Sequence, residues 1–268
     1  MLSTNTLPAV SSGPTVRSVK PFAPIRYALV IAIVCLAVYF GRWDWIGDYW
    51  MRLANGIGVT LLLLVSSCVL GFALALPLGV VQATGPRLLA WPARAFCTVI
   101  RGTPLLLQLW MLYYGLGAVF AQFPEIRASI FWPVLRTAWP YGLVALVLSF
   151  AGYAGEIMRG AFAGVPKGEL EAAYTFGMNR RTAFFRIWLP RAVQRALPTL
   201  TGETILQLKS TPLVATVTVI DVFAVISKVR QDTYLTYEPL ILLASLYIIL
   251  TITLTRLLRI FEARAIRR

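Results

Sequence analysis

The sequence contains no histidine. That single absence removes Ser-His-Asp triads, Cys-His dyads and the HExxH zinc helix. Charge is also scarce. Only 13% of the 268 residues are Asp, Glu, Lys or Arg, against 58% hydrophobic, and the mean hydropathy is +0.73. A soluble domain carries roughly 25% charge. A soluble enzyme or binding protein is therefore a poor reading, and several membrane spans are the expectation. The cysteines are few and odd in number: Cys35, Cys68 and Cys97 lie in or beside apolar runs. Their spacing suggests neither a disulfide framework nor a metal site, and they read as small packing residues. No G-x-x-x-x-G-K-[ST] phosphate loop occurs, so the chain does not turn over ATP alone.

What is abundant is apolar sequence in long runs. Residues 1–24 are rich in Pro and Ser and read as a flexible cytoplasmic tail. Arg17, Lys20 and Arg26 precede a first apolar run, Tyr27 to Gly41, short for a span but followed by Trp43, Trp45 and Trp50 as an interfacial belt. No small-residue cleavage pattern follows Phe40, so this is expected to be an uncleaved signal-anchor helix rather than a signal peptide. Further spans are expected at Leu53 to Pro86, Gly102 to Pro124, between Arg136 and Glu156, at Ala196 to Ile220, and between Glu238 and Arg256. Gly71, Ala75 and Gly79 recur every four residues in the second run. That is either a close-packing face or the ordinary abundance of small residues in membrane helices. Pro77 is a candidate kink.

The basic residues give the topology. The chain carries 25 Lys and Arg against 11 acidic residues. With the N-terminus inside, the segments 17–26, 87–101, 159–195 and 256–268 hold 18 of them, and the outer segments hold six. Six spans with both termini in the cytoplasm follow from the positive-inside rule. The cations are spread along one membrane face, which removes nucleic acid as a partner and leaves the lipid bilayer.

The most informative stretch is the inside loop between the fourth and fifth spans. Pro166 marks a helix start, with Glu169 and Glu171 in the first turns, where acid complements the helix dipole. Gly177 permits a turn, Asn179 can cap a second short helix, and Pro190 marks the return to the membrane. The loop is thus expected to be a helix-turn-helix presented to the cytoplasm. Its cations and aromatics also suit an amphipathic element lying on anionic lipid.

At these residues the chain resembles a known family. Glu171-Ala172-Ala173, Gly177, Ile187 and Leu189-Pro190 match, with every spacing, the signature of membrane subunits of ABC-type importers. The segments Ala154 to Gly160, Val165 to Gly168, Arg101 to Pro104 and Leu208 to Leu213 resemble the polar amino-acid branch, the histidine, arginine, glutamine and opine type. The resemblance covers about Tyr49 to Arg264. It implies an all-α integral membrane protein: a five-helix type I ABC importer permease core at 49–264, with the cytoplasmic coupling loop at 159–195. An extra transmembrane helix and its outer connection occupy 25–48, and 265–268 form a cytoplasmic tail. It also implies a division of labour. This chain would form the pathway for a polar amino acid, with an opine or other small nitrogen compound as the alternative. A cytoplasmic ATPase dimer would use ATP and magnesium, so this chain would bind no cofactor and catalyse nothing. A second permease subunit, itself or a sister chain, would complete the pore. An extracytoplasmic binding protein would deliver substrate, and the whole would sit in a bacterial inner membrane. Pro166, Glu171, Ala172, Ala173, Gly177, Ile187, Leu189 and Pro190 would couple to the ATPase.

Ionisable groups within spans are the remaining candidates. Glu203, Gln207 and Ser210 lie at i, i+4 and i+7, one helical face, and Thr211 and Pro212 follow at a candidate break. With Glu156, these residues are the candidate pathway wall. Alternatively, Glu203 pairs with Arg195 or Lys209, or sits at the interface. Asp221 is expected at the outer mouth as a rim charge.

Overall fold

A computed structural model describes residues 41–266 together with Tyr39. The tail at 1–24 and nearly all of the expected first span at 27–41 lie outside the described residues. Every element among the described residues is a helix. They are α1 (Ile46–Thr84), α2 (Arg87–Gly102), α3 (Leu105–Gln122), the one-turn α4 (Pro124–Arg127) and α5 (Trp132–Leu135), α6 (Trp139–Ala163), α7 (Lys167–Thr175), α8 (Arg180–Val217), α9 (Val222–Thr233) and α10 (Tyr237–Ile266). α1, α3, α6 and α10 are each long and apolar enough to cross a membrane. α8 and α9, bent by 52°, together make a fifth candidate span. The five core spans expected from the apolar runs correspond to these four helices and the bent pair, with their ends displaced by several residues.

α1 is the spine. Its 39 residues extend about 58 Å at 1.5 Å per residue, and Pro77 sits inside it without ending it. Gly71, Ala75 and Gly79 are all buried, on the face that meets α6. A Cβ on Gly71 would stand 2.8 Å from a ring carbon of Phe150, and one on Gly79 would stand 2.5 Å from Met158 Cβ. The offset between partners is the same at both contacts, so the helices run parallel and in register. The small residues are thus a close-packing face, where contact substitutes for the hydrophobic drive that lipid does not supply.

The segment 87–101 behaves differently from the simple inside connection expected of it. It folds as α2, packed on α1 and α6, with Ala90, Ala93 and Cys97 buried. Ile100, near its end, abuts Gly152 in the middle of α6. The Arg101-Gly-Thr-Pro104 sequence is therefore a helix break at depth. Gln108 turns back to serve it, its Nε2 donating to Ile100 O and to Thr103 Oγ1, each at 2.8 Å. This supplies carbonyl partners that the bilayer core does not.

Two buried clusters hold the bundle. The one nearer the 166–190 loop joins Ala75, Phe150, Met158, Phe162, Ala192 and Ala196. The one nearer the break between α8 and α9 joins Leu63, Leu109, Leu146, Val214, Val217 and Val219.

Candidate functional site

The inside loop forms the expected helix-turn-helix. Pro166 is the N-cap of α7, with Glu169 in its first turn. The C-terminus closes as a Schellman motif: Gly177 N–H donates to Tyr174 O and Met178 N–H to Ala173 O, both at 3.0 Å. Gly177 sits at φ +80°, in the left-handed region that glycine enters without a Cβ penalty. Asn179 then caps α8, its Oδ1 accepting from Thr182 N–H at 2.8 Å.

The candidate coupling residues divide by burial. Pro166, Glu171, Ala172, Gly177 and Pro190 are exposed, and Ile187 and Leu189 are partly covered. Ala173 is only 3% exposed, on a helix that packs against the first turns of α8. Its small size therefore serves internal packing, whereas that of Ala172 leaves an open surface. Beside Ala172 stands Phe176, 86% exposed, a large apolar group that no described residue covers.

The loop is fixed to the bundle by aromatic residues that the sequence pattern did not single out. Phe162, in the last turns of α6, stacks on Phe184 with ring centroids 6.1 Å apart and planes 14° apart. Trp188 meets the same ring edge-on at 5.8 Å, and its Nε1 donates to Phe162 O at 3.0 Å. Phe184 to Trp188 form a π-helical turn, a widened turn common at functional positions. Glu169 and Arg191, 3.1 Å apart, add a surface ion pair between α7 and α8. The available signal was the i, i+4 spacing of Phe184 and Trp188. An amphipathic helix on lipid would show the same spacing.

The candidate pathway residues also separate. Gln207 is buried, its Nε2 donating to Ser67 Oγ at 3.0 Å and to Leu146 O at 2.9 Å. It ties α8 to α1 and α6 rather than facing open space. Thr211 is fully buried and donates to Leu208 O, and Ser210 donates to Leu206 O. Glu203 remains at a partly open surface. It forms no ion pair among the described residues. The side chain of Arg195 lies against Gly164, and Lys209 lines a separate cavity with Tyr247. Glu156 accepts from Arg159, with Oε1 2.9 Å from Nε. Arg101, whose guanidinium lies 5.7 Å from the centroid of the Tyr153 ring, is within coulombic reach of both Glu156 and Glu203. The break that ends α2 thus brings a cation, absent from the sequence-derived set, toward two acids on α6 and α8. Asp221 is not a rim charge. It is fully buried and caps α9, Oδ1 accepting from Ala224 N–H at 2.9 Å.

The described residues thus form an apolar helical bundle with a broken span and a rigidly mounted loop at one end, an architecture that transporter permeases share. Residues 75–267 match the family model of the binding-protein-dependent transport system inner membrane component, and the chain belongs to that family. It is a subunit of the inner membrane. It is 39% identical over 212 residues to the octopine transport system permease protein OccM of Rhizobium radiobacter, covering 79% of this chain and 85% of that one. It is 33% identical to the histidine/lysine/arginine/ornithine transport system permease protein HisM of Salmonella typhimurium, covering 82% and 95%. Among solved structures it superposes on an amino acid ABC transporter with histidines at a TM-score of 0.70, with 28% identity over 84% of this chain and all of that one. The inward-facing MetNI methionine ABC transporter shares the fold at a TM-score of 0.59 and 17% identity, covering 82% and 97%.

Proposed function

We propose that this chain is the permease subunit of an ATP-driven importer for a polar amino acid, an opine being the alternative substrate. The observation that carries the reading is the loop at 166–190. It is locked to α6 through Phe162, Phe184 and Trp188, yet it presents Glu171, Ala172, Phe176 and Gly177 outward. A rigid mount with an open tip suits a lever. A separate cytoplasmic ATPase dimer docks on the tip and supplies ATP hydrolysis. Its closure moves the loop, and the Phe162 contacts pass that movement into α6 and α8. ATP shifts the equilibrium between inward-facing and outward-facing states only through contacts that differ between them. The tip residues supply those contacts.

Within the bilayer, Arg101 at the end of α2 and Glu203 on α8 offer opposite charges within coulombic reach of each other. A zwitterionic substrate carries both complements, and opines and basic amino acids add a basic nitrogen for Glu203. A second permease subunit, identical or a sister, closes the pathway, and an extracytoplasmic binding protein delivers substrate. The relatives named for octopine favour the opine alternative, and those named for arginine and histidine favour the amino acid. Uptake by the reconstituted complex of ATPase, permease and binding protein, assayed with arginine, histidine, octopine and nopaline, tests the reading. ATP-dependent uptake of at least one is expected. Uptake of none, with the complex assembled, would overturn it.

A further inference from the structure

The outer half of the bundle holds a basin that the coupling loop and the Arg101–Glu203 region do not use. α9 lies along the first third of α1. Thr60 Oγ1 accepts from Val222 N–H at 3.2 Å, and Tyr49 OH donates to Asp232 Oδ2 at 2.8 Å. The break between α8 and α9 therefore stands level with Thr60. That is eleven residues, about 16 Å at 1.5 Å per residue, along α1 from Tyr49. At this break Thr218 adopts φ 69°, and Ile220 is 68% exposed. Non-helical backbone at membrane depth is tolerated where it is covered by protein or lines water, not where it meets hydrocarbon. Among the described residues nothing covers Ile220, so the break faces open space on this side of the bundle.

Two cavities meet there. One of about 640 Å³ lies between α1 and α9, and one of about 480 Å³ lies between the break, α3 and the start of α6. Val59 and Ile220 line both. Each volume suits a small molecule. Arg52 and Lys228 line the first, Arg136 lines the second, and no carboxylate lines either. Asp232 pairs with Lys228 at 2.8 Å and orients its ammonium, leaving the net positive charge of the walls to Arg52 and Arg136. Arg52 and Arg136 form no ion pair among the described residues, and Arg52 rests 5.5 Å from the Tyr49 ring centroid. Asn55 adds hydrogen-bonding capacity on the wall. The basin is apolar at its floor and positive at its sides.

We propose that this basin is an outer receiving subsite for the carboxylate of the transported substrate, held by Arg52 and Lys228, with Arg136 next along the path. It rests on the importer reading. The carboxylate waits above the α8–α9 break until the break rearranges. Arg52 presents a planar fork that matches a carboxylate, and Lys228 presents a point charge that Asp232 keeps in place.

The test reads the local field without requiring transport. In the full transporter, with Cys35, Cys68 and Cys97 replaced by Ser, Ile220→Cys is modified from outside by anionic and by cationic methanethiosulfonates. Reaction of the introduced thiol with both reagents is expected. The anionic-to-cationic rate ratio should fall about tenfold in Arg52→Gln/Lys228→Gln, as expected when a focusing field is removed. It should be kept in Arg52→Lys. Arginine or octopine presented with the binding protein should slow the reaction. An introduced thiol inert to both reagents would mean that lipid or a second subunit fills the basin, and would overturn the proposal. A ratio unchanged by the double substitution would do the same. A charge-dependent ratio without substrate protection would assign the basin to another anion, such as a lipid headgroup, and the substrate claim would fall. Absence of uptake in the parent transporter would instead count against the importer reading, and the thiol ratio would still report the field.

Discussion

Trp188 donates its indole N–H to the carbonyl of Phe162 at 3.0 Å, joining the 166–190 loop to the last turns of α6 by a bond that spans 26 residues of sequence. The Phe162 ring is gripped from two sides, by the stacked Phe184 and the edge-on Trp188. On the proposed function, these contacts are the route by which a push on the loop tip would reach α6. Trp188→Phe keeps most of the aromatic packing and removes the donor. The expected loss is on the order of 1 kcal/mol of local stability. Hydrogen exchange across 167–188 should rise, and uptake should fall relative to ATP hydrolysis while the ATPase stays bound. Equal losses of uptake and hydrolysis would show that the bond serves assembly and not transmission.

Gly177 separates conformational strain from contact. Among the described residues nothing lies within 4 Å of a Cβ placed there, so Gly177→Ala meets no clash with them. It forces alanine to φ +80°, costing on the order of 1–2 kcal/mol. Gly177→Asn should cost less, because asparagine tolerates the left-handed region better. A mildly destabilised loop that still binds the ATPase is expected for both. Ala172→Asp carries the docking test. The residue is exposed, so the permease should fold, and co-purification of the ATPase should fall with uptake. Ala173→Asp is a control of another kind, since burying a carboxylate in the loop should unfold the loop itself. Wild-type ATPase binding and uptake in Ala172→Asp would favour the lipid-surface reading of the loop.

Much of this loop was legible because its geometry is local. A proline start, an acid in the first turn, a glycine stop and an asparagine cap each act within a few residues. The apolar runs likewise located the five core spans. What was illegible depends on partners distant in sequence. Gln207 on a polar helical face reads as pathway lining. Only the positions of Ser67 and Leu146 show it to be a tie among three helices. Asp221 looks like a rim charge until the fold buries it as a cap. Arg101 looks like an inside loop charge until α2 carries it up along α6. The role of Ala173 likewise depends on packing within the loop, which no spacing rule reports.

Gln207 gives the corresponding stability prediction. Gln207→Leu leaves Ser67 Oγ and Leu146 O without their present donor in a buried site. The expected cost is about 1–3 kcal/mol, read as a lower melting temperature of the purified complex. Its substrate preference should be unchanged. An altered preference with unchanged stability would return Gln207 to the pathway.

Glu203 should behave in the opposite way. It has no cationic partner within ion-pair distance among the described residues, so Glu203→Gln leaves no buried counter-charge stranded. The complex should assemble and melt as the parent does. If Glu203 receives the basic nitrogen of the substrate, the variant loses a charge-assisted hydrogen bond worth about 1.5–3 kcal/mol. Uptake of arginine should then fall at least tenfold, with a smaller effect on a substrate lacking that nitrogen, such as glutamine. Arg101→Gln tests the other pole. It should weaken uptake of both, because both carry a carboxylate. The double variant distinguishes two independent substrate contacts from an Arg101–Glu203 interaction within the protein. Independent contacts give additive losses in the logarithm of uptake, whereas a mutual pair gives a double variant no worse than either single one. Wild-type uptake and stability in Glu203→Gln would leave the residue an interfacial charge with no part in the pathway.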